Sequence, residues 1–206
     1  MIVIQMTTWK KKPTKNKKVL TFPFVSVNII ILKEKRGFKM LRVFVALGSN
    51  LSPRGKHLAD ARKMLRSISL GGWMESRIYE TPPVGPEGQG PYFNQVVSFW
   101  YSKGETRLLY YLKGAELLLG RKPSGHWCAR EIDMDLLYYG NRIRSGRPEL
   151  PHKEVSKRQF VLVPLCDIAP EWVDPLSGLP VNLMLKHLQN SEGALNFPII
   201  SEETTE

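Results

Sequence analysis

Glu131-Ile132-Asp133-Met134-Asp135-Leu136-Leu137-Tyr138-Tyr139 is the stretch on which the architecture turns. It is apolar except for carboxylates, two of them spaced by two residues. Read as a strand, it points Asp133 and Asp135 to one face and Ile132, Met134 and Leu136 to the other. Two carboxylates side by side repel unless a cation holds them, and oxygen ligands of this kind suit a hard ion such as magnesium. Arg130 stands three residues ahead of the pair, and its guanidinium fork matches a phosphate. The exposed face of this strand therefore reads as a metal and polyphosphate site.

The segments upstream supply a scaffold for that strand. Arg42-Val43-Phe44-Val45-Ala46-Leu47 is β-rich and ends at the turn signal Gly48-Ser49-Asn50. Ser52-Pro53 offers an N-cap and a first-turn proline for a helix carrying Leu58, Ala61, Leu65 and Ile68, closed by Gly71-Gly72. Strands are expected at 76–80 and 93–101, and a Leu- and Tyr-rich helix at 106–119, stopped by Gly120. The order is β-α-β-β-α-β, the ferredoxin-like arrangement. It predicts an α+β domain with an antiparallel sheet and both helices on one face. Beyond residue 140, prolines at 148, 151, 164, 170, 175 and 180 predict short irregular elements, then a helix near 181–188. The domain is expected to span 41–190, with a tail at 191–206.

The net charge of +11 resembles that of a nucleic-acid binder, but it is unevenly placed. Residues 1–40 carry ten Lys and Arg against Glu34 alone, or +9, and the remaining 166 residues carry only +2. The body is nearly balanced and its charge does not call for nucleic acid. Cys128 and Cys166 lack metal-knuckle spacing and fit a reducing, cytoplasmic setting. In the first forty residues a cationic run at 10–18 precedes an apolar run at 19–32. No small-residue cleavage site follows, and Pro23 and Asn28 interrupt a run too short to span a bilayer. This segment is expected to be a peripheral extension, with Met40 as an alternative start.

Four blocks in order, Leu47-Gly48-Ser49-Asn50-Leu51, Tyr79-Glu80-Thr81-Pro82-Pro83, residues 127–137 and residues 151–160, resemble the 6-hydroxymethyl-7,8-dihydropterin pyrophosphokinases of folate biosynthesis. The resemblance covers about 41–188. It implies a monomer that uses ATP and 6-hydroxymethyl-7,8-dihydropterin and binds neither membrane nor nucleic acid. Pyrophosphate passes to the pterin hydroxymethyl group and AMP is released. It implies that Asp133 and Asp135 hold two magnesium ions, with catalytic roles for Arg121, Arg130 and His152. Glu116, Arg130, Leu136, Arg147, His152 and Arg158 are implied to meet ATP. Tyr92 and Phe160 are implied to sandwich the pterin, and Asn94 to hydrogen-bond its edge. Thr81, Pro82 and Val84 would assist, and Trp127 would close as a lid. The chain departs from the family pattern at Cys128, where a small Gly or Ala is usual, at Met134, and in a shortened 122–126 segment. Two alternatives stand beside this reading: a nucleic-acid-binding ferredoxin-like module, and a non-catalytic pterin or nucleotide sensor.

Overall fold

The computed structural model describes residues 39–83, 88–122 and 128–201. Apart from Lys39 and Met40, the basic extension lies outside the described residues, as do Val84 and Trp127. The elements are β1 (Leu41–Ser49), α1 (Arg54–Ile68), β2 (Met74–Glu75), β3 (Ile78–Thr81), β4 (Tyr92–Tyr101), α2 (Glu105–Leu118), β5 (Asp133–Tyr139), α3 (Gln159–Ile168), α4 (Val181–Glu192) and β6 (Ile199–Ile200), with a 3-10 turn at Val155–Lys157. The strands form one antiparallel sheet in the order β5-β1-β4-β3-β6, with β2 also on β4. No helix among the described residues is long and apolar enough to cross a membrane.

One face of the sheet is covered as the helical periodicity predicts. Leu58, Ala61 and Leu65 of α1 and Leu108, Leu112 and Ala115 of α2 pack on Val43, Val45, Leu47, Val97 and Phe99. Ile132, Met134 and Leu136 join this core, so the strand period of the Asp segment holds. It then breaks. Val45 pairs with Leu136 and Phe44 with Tyr138, leaving Leu137 as a bulge. Leu137 and Tyr138 both enter the opposite core, and Tyr139 returns to the first.

The helix starts differ from expectation. Pro53 is the N-cap of α1 rather than its first helical residue, and no side chain caps it. The end of α2 follows its signal closely. Gly120 takes a φ of +94°, its amide donates to the Leu117 carbonyl, and the Arg121 amide donates to the Glu116 carbonyl. This paired return is a Schellman closure, and only glycine adopts its left-handed residue cheaply. It sets Arg121 back over Glu116.

The second face carries a layer where irregular structure was expected. Residues 159–168 form α3 despite Pro164 inside it. An interior proline removes one helical bond. Burial of Val161, Leu162 and Leu165 against Phe44, Val96 and Tyr138, together with α4, offsets that loss. The expected tail from 191 instead completes α4 and supplies β6, which pairs with β3. The α3 layer is tied to the sheet through Asp167. Its carboxylate accepts from the Arg77 amide and guanidinium, at 2.6 Å for the shortest, and from the Tyr79 hydroxyl at 2.9 Å. Burial opposes the charge on Asp167, but these donors prevail and hold its pKa below the usual value.

Leu162→Ala should therefore cost about 3 kcal/mol in urea unfolding, as for a buried Leu in an integral layer. A loss below about 1 kcal/mol would show that α3 is only loosely docked. Asp167→Asn should destabilise by about 1 kcal/mol at pH 7. A carboxylate with a depressed folded pKa stabilises above its unfolded pKa of about 3.9 and ceases to do so as pH falls through the folded value. The two proteins should thus converge in stability on acidification below about pH 4, which thermal melts at stepped pH will check.

Candidate active site

The site is built across the sheet, on the face that α3 covers in part. Gly48 of β1 pairs with Asn94 of β4 on one side and Asp133 of β5 on the other. One step along, Ala46 lies between Val96 and Asp135. Small residues on β1 leave an open floor between the amide and the two acids. A Cβ on Gly48 would come within 3.1 Å of Asn94 Oδ1 and 3.6 Å of the Tyr92 ring. That floor belongs to a cleft of about 300 Å³. Thr81, Pro82, Tyr92, Asn94, Cys128, Arg130, Asp133, Asp135, His152, Arg158 and Phe160 all line it. A second cleft of about 340 Å³ shares Asp135 and His152 and adds Lys113, Leu136 and Arg147.

The acids are held by basic side chains. Asp133 accepts from Arg121 at 2.6 Å and from Arg130 at 2.7 Å. Asp135 accepts from Lys113 at 3.3 Å. Burial works against a charge on Asp133, but Lys113, Arg121 and Arg130 outweigh it and keep its pKa low. Asp133 is therefore anionic at neutral pH. Among the described residues no group of three or more His, Cys, Asp or Glu could hold a metal ion. Two carboxylates with room for phosphate oxygens and water are what magnesium commonly uses beside a nucleotide. The Nε of Arg130 is buried without a hydrogen-bond partner among the described residues, which suits a further anionic acceptor.

His152 stands where the two clefts meet. Its amide donates to the Leu137 carbonyl, and its Nδ1 accepts from the Glu154 amide at 3.3 Å. Burial, reinforced by Arg158, lowers its pKa despite the nearby Asp135. A neutral ring whose Nδ1 accepts carries its proton on Nε2, leaving a donor for a phosphate oxygen. Arg158 sits between the 3-10 turn and α3, its Cζ 5.6 Å from the Phe160 ring centre. Arg147 is exposed on the second cleft.

At the other end, Asn94 Nδ2 donates to Thr81 Oγ1 at 2.7 Å, which fixes the amide plane. Tyr92 and Phe160 are half-buried and share the cleft wall, as a planar ring slot requires. Burial, first of all, pushes the Tyr92 phenol up, so it stays neutral.

Two expected nucleotide contacts are placed differently. Glu116 is 3% exposed and absent from the lining of both clefts. Its carboxylate accepts from Lys113 at 2.7 Å, from the Met134 amide at 2.7 Å and from Arg121 at 2.6 Å. It orients cations from beneath. Leu136, also 3% exposed, belongs to the core and reaches the second cleft only at its wall. Arg121 likewise stands behind the first cleft, bridging Glu116 and Asp133.

Sequence reasoning missed three supporting residues. Lys113 bonds Glu116, the Met134 carbonyl and Asp135 at once. Its signal was the i, i+3 spacing to Glu116. The Asn50 amide donates to the Arg130 carbonyl and its Oδ1 accepts from the Arg130 amide at 2.7 Å, so the turn after β1 pins the arginine. Arg54 bonds Glu80 at 2.7 Å and the Pro91 carbonyl at 2.8 Å, and stacks on Phe93, clamping both ends of the 82–91 loop.

Residues 44–170 match the model of the family 7,8-dihydro-6-hydroxymethylpterin-pyrophosphokinase. The Haemophilus influenzae 2-amino-4-hydroxy-6-hydroxymethyldihydropteridine pyrophosphokinase is 33% identical over 159 residues, 76% of this chain and 99% of that protein. The Porphyromonas gingivalis enzyme of the same name is 35% identical over 146 residues, 68% of this chain and 99% of that protein. In crystal structures, the Plasmodium falciparum HPPK-DHPS has the same fold, with a TM-score of 0.59 at 12% identity. That match covers 78% of this chain and 47% of the longer one, so the chain spans about half of it. A cleft that joins an aromatic slot to a carboxylate pair, on a chain matched this broadly, leads to one assignment: the protein belongs to the 7,8-dihydro-6-hydroxymethylpterin-pyrophosphokinase family.

Proposed function

We propose that this chain transfers pyrophosphate from ATP to the hydroxymethyl group of 6-hydroxymethyl-7,8-dihydropterin in folate biosynthesis, in a magnesium-dependent reaction. The observation that carries the reading is the single row Asp133, Gly48, Asn94 across three strands. It joins Asn94 to the acid-bearing strand in one cleft that Tyr92, Phe160, Arg130, His152 and Arg158 also line, which supports a pterin beside a polyphosphate. The family match favours this enzyme over the nucleic-acid module and over the ligand sensor.

In this reaction the pterin hydroxymethyl oxygen forms a bond to the β-phosphorus. The bond from that phosphorus to the α–β bridging oxygen breaks, AMP leaves with the electron pair, and the hydroxyl proton is released. Tyr92 and Phe160 fix the pterin plane, and Asn94 reads its edge with the carbonyl and remaining donor not committed to Thr81. Asp133 and Asp135 would hold two magnesium ions, which when bound offset charge on the phosphate oxygens. Arg130, His152 and Arg158 line the same cleft and supply donors where negative charge develops. Arg147 lines the second cleft, where it would meet the nucleotide. We further infer a cytoplasmic monomer. Its two cysteines suit a reducing compartment.

Formation of AMP from ATP, measured with and without the hydroxymethyl pterin, tests the activity directly. Pterin-dependent AMP is expected, and its absence would leave only the sensor reading. Asp135→Ala should lower kcat by about a thousandfold or more while the circular dichroism spectrum is retained. Near-normal turnover in that variant would remove the metal assignment. Tyr92→Ala should weaken pterin binding about tenfold and leave ATP binding within about twofold, as lost stacking predicts. Equal losses for both ligands in calorimetry would contradict the stacking role.

A further inference from the structure

Lys113 is an acid-binding cation built into the place where a metal is proposed to sit. Its ammonium lies 2.7 Å from Glu116 Oε1, 3.0 Å from the Met134 carbonyl, 3.3 Å from Asp135 Oδ1 and 3.8 Å from Asp133 Oδ1. All four neighbours are oxygens. Two of them, the Glu116 carboxylate and the Met134 carbonyl, belong to no proposed metal ligand, so they anchor the charge whatever the two aspartates bind. Glu116 is itself buried and is bonded in addition by Arg121 and the Met134 amide, which fixes it as an anchor. The Lys113 side chain is one-third exposed and lines the second cleft beside Asp135 and Arg147.

We infer that Lys113 is a positioning residue that serves as a fixed internal counter-ion for Asp133 and Asp135, so that the pair takes up a divalent cation weakly by itself and well only together with a polyphosphate. This rests on the metal reading of the previous section. The physical basis is charge balance. A divalent ion entering a site that already holds an ammonium gains less from the carboxylates, because like charges a few ångströms apart repel in a partly desolvated cleft. The phosphates of ATP bring the missing negative charge and the missing oxygen ligands in one step. Arg121 and Arg130 also neutralise Asp133. Asp135, in contrast, has its ion pair with Lys113, so the lysine bears most on that ligand.

The test is a titration of the full-length protein with Mn²⁺ as probe, following the free ion by electron paramagnetic resonance, first without nucleotide. Lys113→Gln keeps a donor for Glu116 but removes the charge, Lys113→Met removes both, and Lys113→Arg keeps the charge. The uncharged variants should bind Mn²⁺ about tenfold more tightly than wild type, and Lys113→Arg should remain close to wild type. Thermal melts identify any variant that has lost its fold, and either uncharged variant suffices. Unchanged Mn²⁺ affinity in a folded uncharged variant would overturn the inference. So would a Lys113→Arg protein that binds as tightly as Lys113→Gln. A parallel titration adds the α,β-methylene analogue of ATP to wild type and to Asp135→Asn. If Mn²⁺ binding to the protein–analogue complex does not depend on Asp135, the metal reading itself fails and this inference with it. If it does depend on Asp135 while the lysine variants leave nucleotide-free binding unchanged, only the counter-ion role fails.

Discussion

The pairing of β1 on both sides, with β5 and with β4, is the constraint on which the rest of the structure depends. Its two antiparallel registers place Gly48 between Asn94 and Asp133. Antiparallel pairing sets directly opposed residues about 5 Å apart. A side chain at Gly48 would therefore stand between the Asn94 amide and the Asp133 carboxylate. Its absence joins them into one cleft. A one-residue slip of β1 would turn Gly48 to the packed face and push Leu47 into the cleft. Val43, Val45 and Leu47, buried against α1 and α2, resist that slip, so the core on one face guarantees the site on the other.

The same arrangement explains the electrostatics. Asp133 and Asp135 share a face because the strand period is two, and that face is not buried in the first core. The cations that meet them come from elsewhere in the chain. Lys113 comes from α2, Arg121 from the turn closing that helix, and Arg130 from the segment entering β5. Glu116, buried beneath them, links two of these cations to the Met134 amide. Charged groups this close to a core survive only when each is paired. The acid–base network is therefore part of the stability of the strand as well as of the chemistry above it.

The elements most legible in the sequence were those with uninterrupted periodicity. The face of α1 was marked by Leu58, Ala61 and Leu65, and the end of α2 by Gly120. The alternation through Met134 also held, because each side chain met the partner that the period implied. The α3 helix was hidden by Pro164, whose local cost is outweighed by burial that depends on Phe44 and Tyr138 from distant strands. The bulge at Leu137 was equally hidden. Nothing in an apolar run of Leu-Leu-Tyr-Tyr says which residue is skipped, since the skip is set by pairing with β1. The strand at Ile199–Ile200 exists because β3 offers it an edge.

For the site, the sequence by itself determined the chemistry on offer: two acids on one strand face, arginines and a histidine near them in the chain, aromatics and an amide by a Pro-rich loop. Residue type and local spacing suffice for that, because they depend only on backbone periodicity. The tertiary structure decided which groups meet. It buried Glu116 and placed Lys113 between the carboxylates. It also put Arg121 behind the cleft and used Asn50 to hold Arg130. Those assignments rest on contacts between residues as many as eighty positions apart. Such contacts follow from strand order and register, which no local pattern encodes.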